Sequence, residues 1–153
     1  MMYSRAELSK IRTEFWIAFG QYMKPIPNAQ GRKINWPNYK TGIKDVYFRM
    51  RAERGFASIG IELGHGDPEL QELFFDQFKE LKNLLKGSLE EEWDWKLHDQ
   101  NELGQTVTKI EKILPEVNVL EREDWPKIIS FLKPRIIALD EFWDIVKPGF
   151  EDF

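Results

Sequence analysis

Apolar residues recur at the spacing of an α-helix in three stretches of the chain, and the first lies close to the N-terminus. Ser4 and Glu7 are spaced as a capping box, in which each side chain binds a free backbone N–H of the other residue. The apolar positions of one helical face follow: Leu8, Ile11, Phe15, Ala18, Phe19 and Tyr22. We therefore predict an N-terminal helix that buries this face and ends before Pro25 and Pro27.

The same periodicity predicts two more helices, in the middle and near the end of the chain. The second covers residues 67–87, because Asp67 suits a helix N-cap and Gly87 suits a helix stop. The third begins near Asp124 and keeps its apolar spacing for over five turns. Since Pro134 lies inside this third pattern, we expect a kink or a break just before it.

Apolar and polar residues alternate in further segments, which is the pattern of strands with one buried face. Residues 44–51 and 56–63 are predicted to form a hairpin, and residues 92–98 a third strand with a tryptophan-rich buried face. Residues 105–113 fit a strand or a helix, and their β-branched content favours a strand. The prediction is an α+β fold of order α-β-β-α-β-β-α, with an antiparallel sheet of about four strands and three main helices packed on it. Residues 1–153 are expected to form a single globular domain.

The predicted hairpin places two carboxylates, those of Asp45 and Glu62, where they could bind a metal ion. Pairing Arg51 with Phe56 joins the apolar sets of the two strands and sets Asp45 opposite Glu62. Two carboxylates at that distance suit a divalent cation such as Mg or Mn, as in nucleases of the restriction-endonuclease type. Those enzymes carry Glu-x-Lys on the second strand, whereas here Gly64 stands where the Lys is expected. The alternative is a solvated strand face with charged cross-strand neighbours.

Charge is divided unevenly along the chain. Residues 1–60 contain eleven Lys or Arg against four Asp or Glu, a net charge of +7, within a chain whose total is −4. Residues 61–153 contain eleven Lys or Arg against twenty-two Asp or Glu, a net charge of −11. The asymmetry indicates either that the two segments attract each other in the fold or that the basic one meets a partner.

Composition excludes several classes of site. The chain contains no Cys, which excludes disulfides and thiolate metal sites, and two His are too few for a His-rich metal centre. The N-terminal residues lack an apolar signal-peptide core, and no apolar run has the length of a membrane span. We therefore expect a cytoplasmic protein without a membrane partner.

The long connection over residues 24–43 is rich in Pro, Gly and Asn, and loops of this length in compact domains are often functional. Residues 34–36 are expected to pair briefly as an edge strand. The connection and the strand after it carry a basic-aromatic set: Arg32, Lys33, Trp36, Tyr39, Lys40, Lys44, Tyr47, Arg49 and Arg51. Such cations bind phosphates and exposed aromatic rings stack on bases. The alternative is that the aromatic residues hold the loop down while the cations are solvated or pair with acidic residues.

His65 lies in a Gly-His-Gly-Asp sequence between the second strand of the hairpin and the second helix. Such a junction can bind an anion through free backbone donors at the helix start. Turn geometry explains Gly64 and Gly66 equally well. The tetrapeptide matches neither a phosphate-binding loop nor a dinucleotide fingerprint.

Several short motifs are spread along the chain, at residues 14–16, 34–44, 48–50, 90–93, 134–135 and 139–143. Together they resemble a bacterial family catalogued as domain of unknown function 4268. The resemblance spans nearly the whole chain and implies a bacterial, cytoplasmic origin. Some members of such families occur as a module beside endonuclease-like regions of longer proteins, which implies a connection with nucleic acids but assigns no catalytic residue.

These observations favour a small non-enzymatic binding domain whose surface is the basic-aromatic set, with nucleic acid or a protein as partner and no cofactor. The enzymatic alternative is a divergent metal-dependent nuclease that uses Asp45 and Glu62. A third possibility is a structural subunit of a homo-oligomer that associates through an aromatic patch with Phe75 and Trp16.

Overall fold

The computed structural model describes residues 3–153, and this part of the chain contains four α-helices and four β-strands. The helices are α1 (Arg5–Met23), α2 (Pro68–Glu80), α3 (Lys82–Leu89) and α4 (Trp125–Val146). The strands are β1 (Val46–Ala52), β2 (Phe56–Leu63), β3 (Asp94–Gln100) and β4 (Thr106–Pro115). The predicted α+β class is confirmed, and the order agrees except that two helices replace the predicted second one. None of the helices among these residues is long and apolar enough to cross a membrane.

The strands form one antiparallel sheet in the order β1-β2-β4-β3, so β1 is an edge strand. Alternate residues of the central strands, among them Ile59, Ile61 and Ile110, are fully buried against the helices. The opposite face carries charged side chains from all four strands. The fold therefore has one helix-covered apolar face and one polar face, as the alternating pattern predicts.

The register of the hairpin differs from the predicted one by two residues. Tyr47 lies opposite Glu62 and Arg51 lies opposite Ser58, whereas Asp45 lies beyond the end of the ladder. The turn explains the difference, because only three residues separate the two strands and the backbone N–H of Glu53 bonds to Phe56 at 2.8 Å. A shift of two residues keeps every side chain on its predicted face, so the apolar pattern alone does not detect it.

The helix starts follow the sequence signals more closely than the helix ends. Ser4 and Glu7 form the predicted capping box, and the side chain of Asp67 caps α2. The predicted stop at Gly87 is wrong, since α3 continues to a left-handed residue at Glu90. The break expected near Pro134 is absent among the described residues, and α4 runs through this position without interruption.

The strand predicted over residues 105–113 is confirmed as β4, whereas the strand predicted over residues 92–98 differs from the observed β3. β3 contains an irregularity between Lys96 and Asp99, and His98 has a positive φ of 52° there. The alternation is lost at this point, so Leu97 is 40% exposed although its spacing predicted burial.

Two aromatic residues also lie elsewhere than predicted. Tyr22 is 54% exposed instead of lying in the core, and Lys133 Nζ sits 4.9 Å from its ring centroid. Phe75 is buried against Trp95, with ring centroids 5.6 Å apart. Phe75 therefore does not contribute to the exposed aromatic patch expected for homo-oligomer contact, whereas Trp16 is half-buried on α1.

The loop between α1 and β1 is held against α4 by the buried carboxylate of Asp140. The hydroxyl of Tyr39 donates to Asp140 Oδ1 at 2.6 Å, and the backbone N–H of Ala29 donates to Oδ2 at 2.7 Å. Trp36 is 1% exposed and donates through Nε1 to the Ile26 carbonyl at 2.9 Å. The predicted edge strand over residues 34–36 is wrong, because Trp36–Asn38 form a 3₁₀ turn.

Replacing Tyr39 with Phe tests this attachment. The variant keeps the ring, which stacks on Phe48 at 5.1 Å, and loses only the hydrogen bond to Asp140. We expect the free energy of unfolding to fall by about 1.5–3 kcal/mol, because a bond to a buried charged group is lost. Urea denaturation measures the change. Tyr47→Phe is the matched control, and an equal loss in both variants would contradict the anchoring role.

Candidate functional site

A groove runs along the open edge of the sheet, between β1 and the loop that precedes it. Its lining comes from residues 37–50, and its volume is about 490 Å³. We call it the edge groove. Five members of the basic-aromatic set line it: Tyr39, Lys40, Lys44, Tyr47 and Arg49. Arg32, Lys33, Trp36 and Arg51 do not line it. The structure thus brings together about half of the residues selected from the sequence.

The loop cations are not neutralised by the rest of the fold. Arg32, Lys33, Lys40 and Lys44 are exposed, and none has a carboxylate within 4.0 Å in the described part of the chain. Of these four, Lys40 and Lys44 lie in the edge groove. Asp45 also lines the groove, so three cations, Lys40, Lys44 and Arg49, stand there against one carboxylate, and the two lysines are exposed to solvent without an ion pair among the described residues.

A further cation reaches this region from the distant end of the chain. Lys147 follows α4, and a Cβ placed on Gly42 would lie 2.5 Å from its Nζ. Gly42 has a φ of 79°, so its lack of a side chain serves both the turn and the close approach of the ammonium group. Sequence analysis missed Lys147, because no local signal links a residue at the end of the last helix with the loop.

Arg49 and Arg51 differ from the loop cations because they are held by Glu62. Glu62 is 6% exposed and accepts from Arg49 Nε and Arg51 Nη2, each at 3.2 Å. Arg51 also donates to Glu102 at 2.7 Å. Burial lowers the pKa of the Arg51 guanidinium, but Glu62 and Glu102 outweigh it and raise the pKa overall. Arg51 is thus a structural part of the polar face.

Tyr47 is the most exposed of the three aromatic side chains in the set. It is 36% exposed, and the guanidinium carbon of Arg49 lies 4.1 Å from its ring centroid. Burial and the adjacent Asp140 raise the pKa of the Tyr39 hydroxyl, which is held in its hydrogen bond. Trp36 is buried. Tyr39 and Trp36 therefore hold the loop against the rest of the fold, which is the alternative that the sequence left open for them.

The proposed carboxylate pair is not assembled as predicted. Asp45 precedes the ladder with a φ of 63°, and its carbonyl accepts from the backbone N–H of Gly64 at 2.9 Å. Glu62 lies opposite Tyr47 and is neutralised by two arginines. Within residues 3–153 no group of three or more His, Asp or Glu side chains is placed to hold a metal ion. The observed register gives Mg or Mn no paired carboxylates at this position.

A second cleft, of about 500 Å³, adjoins the edge groove at the end of β2. It shares Tyr47 and Arg49 with the groove, and we call it the His65 cleft. Its lining is Tyr47, Arg49, Glu62, Gly64, His65, Gly66, Pro68, Gln71, Asn101, Gln105, Thr106 and Val107. His65 is 6% exposed, and neither ring nitrogen has a hydrogen-bond partner.

The surroundings of His65 favour its neutral form. Its ring lies 4.4 Å from that of Phe74. Burial lowers the pKa of the imidazole below its ordinary value, Asp45 opposes this shift, and Lys44 adds to it. Gln71 fixes the adjoining backbone, because its Nε2 donates to the His65 carbonyl at 2.7 Å. Both ring nitrogens are also shielded from solvent, so the imidazole is a buried polar group without a partner.

The chain belongs to the family described as Domain of unknown function (DUF4268), whose sequence profile matches residues 11–147. The matched region includes the loop, the whole sheet and both clefts, and it confirms the resemblance found from the motifs. Comparisons with the curated proteins and with the solved structures found no match. The family description names no activity, so the function is argued from the site.

Glu62→Gln tests the polar face. The substitution keeps the shape of the side chain but leaves Arg49 and Arg51 without a charged partner. We expect the free energy of unfolding to fall by about 1.5–3 kcal/mol, the usual range for hydrogen bonds to charged groups. Glu102→Gln is the control, because its exposed ion pair should contribute less than about 1 kcal/mol. Urea unfolding that gives equal losses would contradict this ranking.

The pH dependence of stability tests the environment of His65. Because the folded-state pKa lies below the unfolded-state value, the unfolded chain binds more protons as the pH falls through about 6.5. Stability should therefore decrease on acidification by up to about 1.4 kcal/mol per pH unit and level off below the folded-state pKa. The measurement is urea unfolding from pH 8 to pH 5, with His65→Phe as reference. Stability that rises on acidification relative to this variant would show that Asp45 dominates.

Proposed function

We propose that this domain is a small non-enzymatic binding module that contacts nucleic acid through the edge groove. The observation that supports this most directly is the unneutralised charge of Lys40 and Lys44 beside the exposed Tyr47. Lysines without a carboxylate partner are available to phosphates, and binding releases the counterions of the nucleic acid. The proposed setting is the bacterial cytoplasm, because the family resemblance implies a bacterial origin and a chain without Cys fits a reducing compartment.

The two ends of the groove offer different contacts to a nucleic-acid strand. Lys40 and Lys44 lie on the loop, with Lys147 close to it through Gly42, and they suit the phosphate backbone. Tyr47 and Arg49 lie on β1, where the guanidinium group lies over one face of the tyrosine ring, and together they offer an aromatic and a cationic contact to a base. A strand along the groove would thus meet phosphate contacts and base contacts side by side.

The overall charge limits how such a module binds. The chain carries a net charge of −4, so surfaces away from the loop repel a polyanion. Binding is therefore confined to a few phosphates and should be salt-sensitive, in contrast to the extended contact of a strongly basic protein. The proposal involves no cofactor.

The edge position of β1 favours a second candidate partner. The groove follows this strand, whose outward backbone groups lie at the edge of the sheet. An extended peptide can add to such an edge through backbone hydrogen bonds. Acidic side chains on the peptide would then meet Lys40 and Lys44. This candidate predicts binding of acidic peptides and indifference to nucleic-acid bases.

The double variant Lys40→Glu/Lys44→Glu tests the groove. We expect it to bind short DNA and RNA oligonucleotides at least about tenfold more weakly at low salt, because two phosphate contacts become repulsive. It should unfold at the same urea concentration as the wild type, since neither lysine has an ion-pair partner to lose among the described residues. Fluorescence anisotropy against single and double strands, at two salt concentrations, is the measurement.

The matched control is Lys10→Glu/Lys127→Glu, which makes the same change of charge on exposed residues of α1 and α4 outside the groove. Equal weakening in both double variants would contradict the groove assignment. No binding by the wild type at low salt would exclude the nucleic-acid proposal and favour a protein partner. Mg in a parallel set of samples tests the nuclease alternative, since strand cleavage that is lost in Asp45→Ala would establish it.

A further inference from the structure

A smaller pocket continues the edge groove along the loop. Its volume is about 250 Å³, and it shares Asn38, Tyr39 and Lys40 with the groove. We call it the asparagine pocket, because its lining is Asn28, Ile34, Asn35, Asn38, Tyr39 and Lys40. Small-molecule sites generally span roughly 300–1,000 Å³, so this pocket suits one small group better than a large ligand.

The hydrogen bonds of the loop fix which end of each bound asparagine amide is free. Asn28 Oδ1 accepts from the backbone N–H of Gln30 at 3.0 Å and from that of Arg32 at 2.9 Å. Asn35 Oδ1 accepts from the backbone N–H of Asn38 at 3.4 Å. A backbone N–H bonds to the oxygen of an amide and not to its NH₂ group. The Nδ2 groups of Asn28 and Asn35 are therefore the ends that remain as donors.

These donors are available to a ligand. Among the hydrogen bonds of residues 3–153, none uses the Nδ2 group of Asn28 or Asn35, and none uses the side chain of Asn38. Asn35, Asn38 and Lys40 are exposed, and the half-buried Asn28 keeps its amide nitrogen accessible to solvent. Three amide NH₂ groups and one ammonium group thus line a single small space.

The lining offers fewer acceptors than donors. The hydroxyl of Tyr39 donates to Asp140, which is 5% exposed and whose second oxygen accepts from Ala29. That carboxylate is therefore not offered to a ligand, and the free side chain of Asn38 contributes one oxygen. A lining of this kind favours a ligand whose atoms accept hydrogen bonds.

The bases of nucleic acids divide into two classes on this property. Guanine presents O6 and N7 as acceptors, and thymine presents O4, as does uracil. Adenine and cytosine carry an amino group at the corresponding position, and this group donates. In the asparagine pocket such an amino group would face amide and ammonium donors, whereas a keto oxygen would accept from them.

Unpaired cations lie next to the pocket on two segments of the loop. Lys40 stands where the pocket meets the edge groove, and Arg32 lies beside Asn28 through the bond from its backbone N–H. Both side chains are exposed, and neither has a carboxylate within 4.0 Å among the described residues. A strand that leaves the groove past Lys40 therefore meets a second cation near the pocket, which suits its next phosphates.

From these observations we infer that the asparagine pocket seats one unpaired keto base of a strand bound in the edge groove, with Asn28, Asn35 and Asn38 donating to its acceptor atoms. The inference rests on the proposed function and adds two properties to it: dependence on a base and not only on phosphate, and preference for guanine, thymine or uracil over adenine and cytosine. A base inside a duplex is paired and stacked and does not enter a concave pocket, so the preference belongs to single strands.

The first experiment compares single strands of equal length and charge. Each consists of deoxyadenosine with one central guest position that carries thymine, guanine, cytosine or no base, and each is titrated by fluorescence anisotropy. We expect the wild type to bind the thymine and guanine strands about tenfold more tightly than the other two, which is the order of discrimination that a pair of hydrogen bonds to a base edge gives. Duplexes of the thymine and cytosine strands should bind equally.

Asn38→Ala assigns the effect to the pocket. This variant removes an exposed amide that has no hydrogen bond in the described part of the chain, so it should unfold at the same urea concentration as the wild type. We expect it to lose most of the difference between guests while still binding in a salt-sensitive manner. Asn83→Ala removes an equally exposed amide on α3, outside the groove and the pocket, and should behave as the wild type.

Asn28→Asp is a second, independent variant. It keeps the oxygen that accepts from Gln30 and Arg32 and replaces only the donating NH₂ group with an oxygen. Asn83→Asp adds the same charge on α3 and measures the general weakening. We expect Asn28→Asp to lose the keto preference, whereas Asn83→Asp should keep it. A keto preference that survives in both Asn38→Ala and Asn28→Asp would show that the pocket does not seat the base.

The side-chain amide signals in ¹⁵N-resolved NMR spectra give a direct readout. Addition of the thymine strand should shift the NH₂ signals of Asn28, Asn35 and Asn38 much more than that of Asn83. Unchanged signals, or equal affinity for all four guests with salt-sensitive binding retained, would overturn the inference and leave the groove proposal intact. Absence of binding to any strand would overturn the proposed function and this inference together.

Discussion

The edge groove depends on the buried carboxylate of Asp140. This group of α4 binds the loop at two points, Ala29 and Tyr39, and the indole of Trp143 one helical turn later donates to the Thr41 carbonyl at 2.8 Å. Loops that connect elements usually lie on the surface and vary in conformation. Here the attachment to the longest helix gives the loop a fixed distance from β1, and that distance defines the groove.

The cations of the loop and those of the sheet have different roles, because different interactions hold the loop and the sheet in position. Neutral donors and aromatic rings secure the loop, so its exposed lysines take no part in stability. The polar face of the sheet instead needs Arg51, because Glu62 is nearly buried and an unpaired carboxylate there would be costly. Charge reversal at Arg51 would therefore disturb folding, whereas Lys40 and Lys44 can be changed independently of the core.

Sequence patterns predicted the faces of the elements well and the contacts between distant elements poorly. Period-two alternation assigns side chains to a face, but a shift of two residues preserves that assignment, so the pairing of Asp45 with Glu62 was wrong although both strands were right. The burial of Trp36 depends on the Ile26 carbonyl, and the approach of Lys147 to Gly42 depends on where α4 ends. Such contacts arise from tertiary packing, and the spacing of residues along the sequence does not predict them.

Ion pairs within the fold explain only part of the uneven distribution of charge between residues 1–60 and residues 61–153. Among the described residues, only two of the eleven cations of residues 1–60, Arg49 and Arg51, form ion pairs with carboxylates of the acidic remainder. Two carboxylates of the acidic remainder do lie beside the loop, but Asp140 and Asp144 accept hydrogen bonds there from neutral donors and not from its lysines. Lys40 and Lys44 have none within 4.0 Å and share a groove instead. A concentration of like charge without internal partners destabilises the free domain slightly, and an anionic partner removes that repulsion on binding.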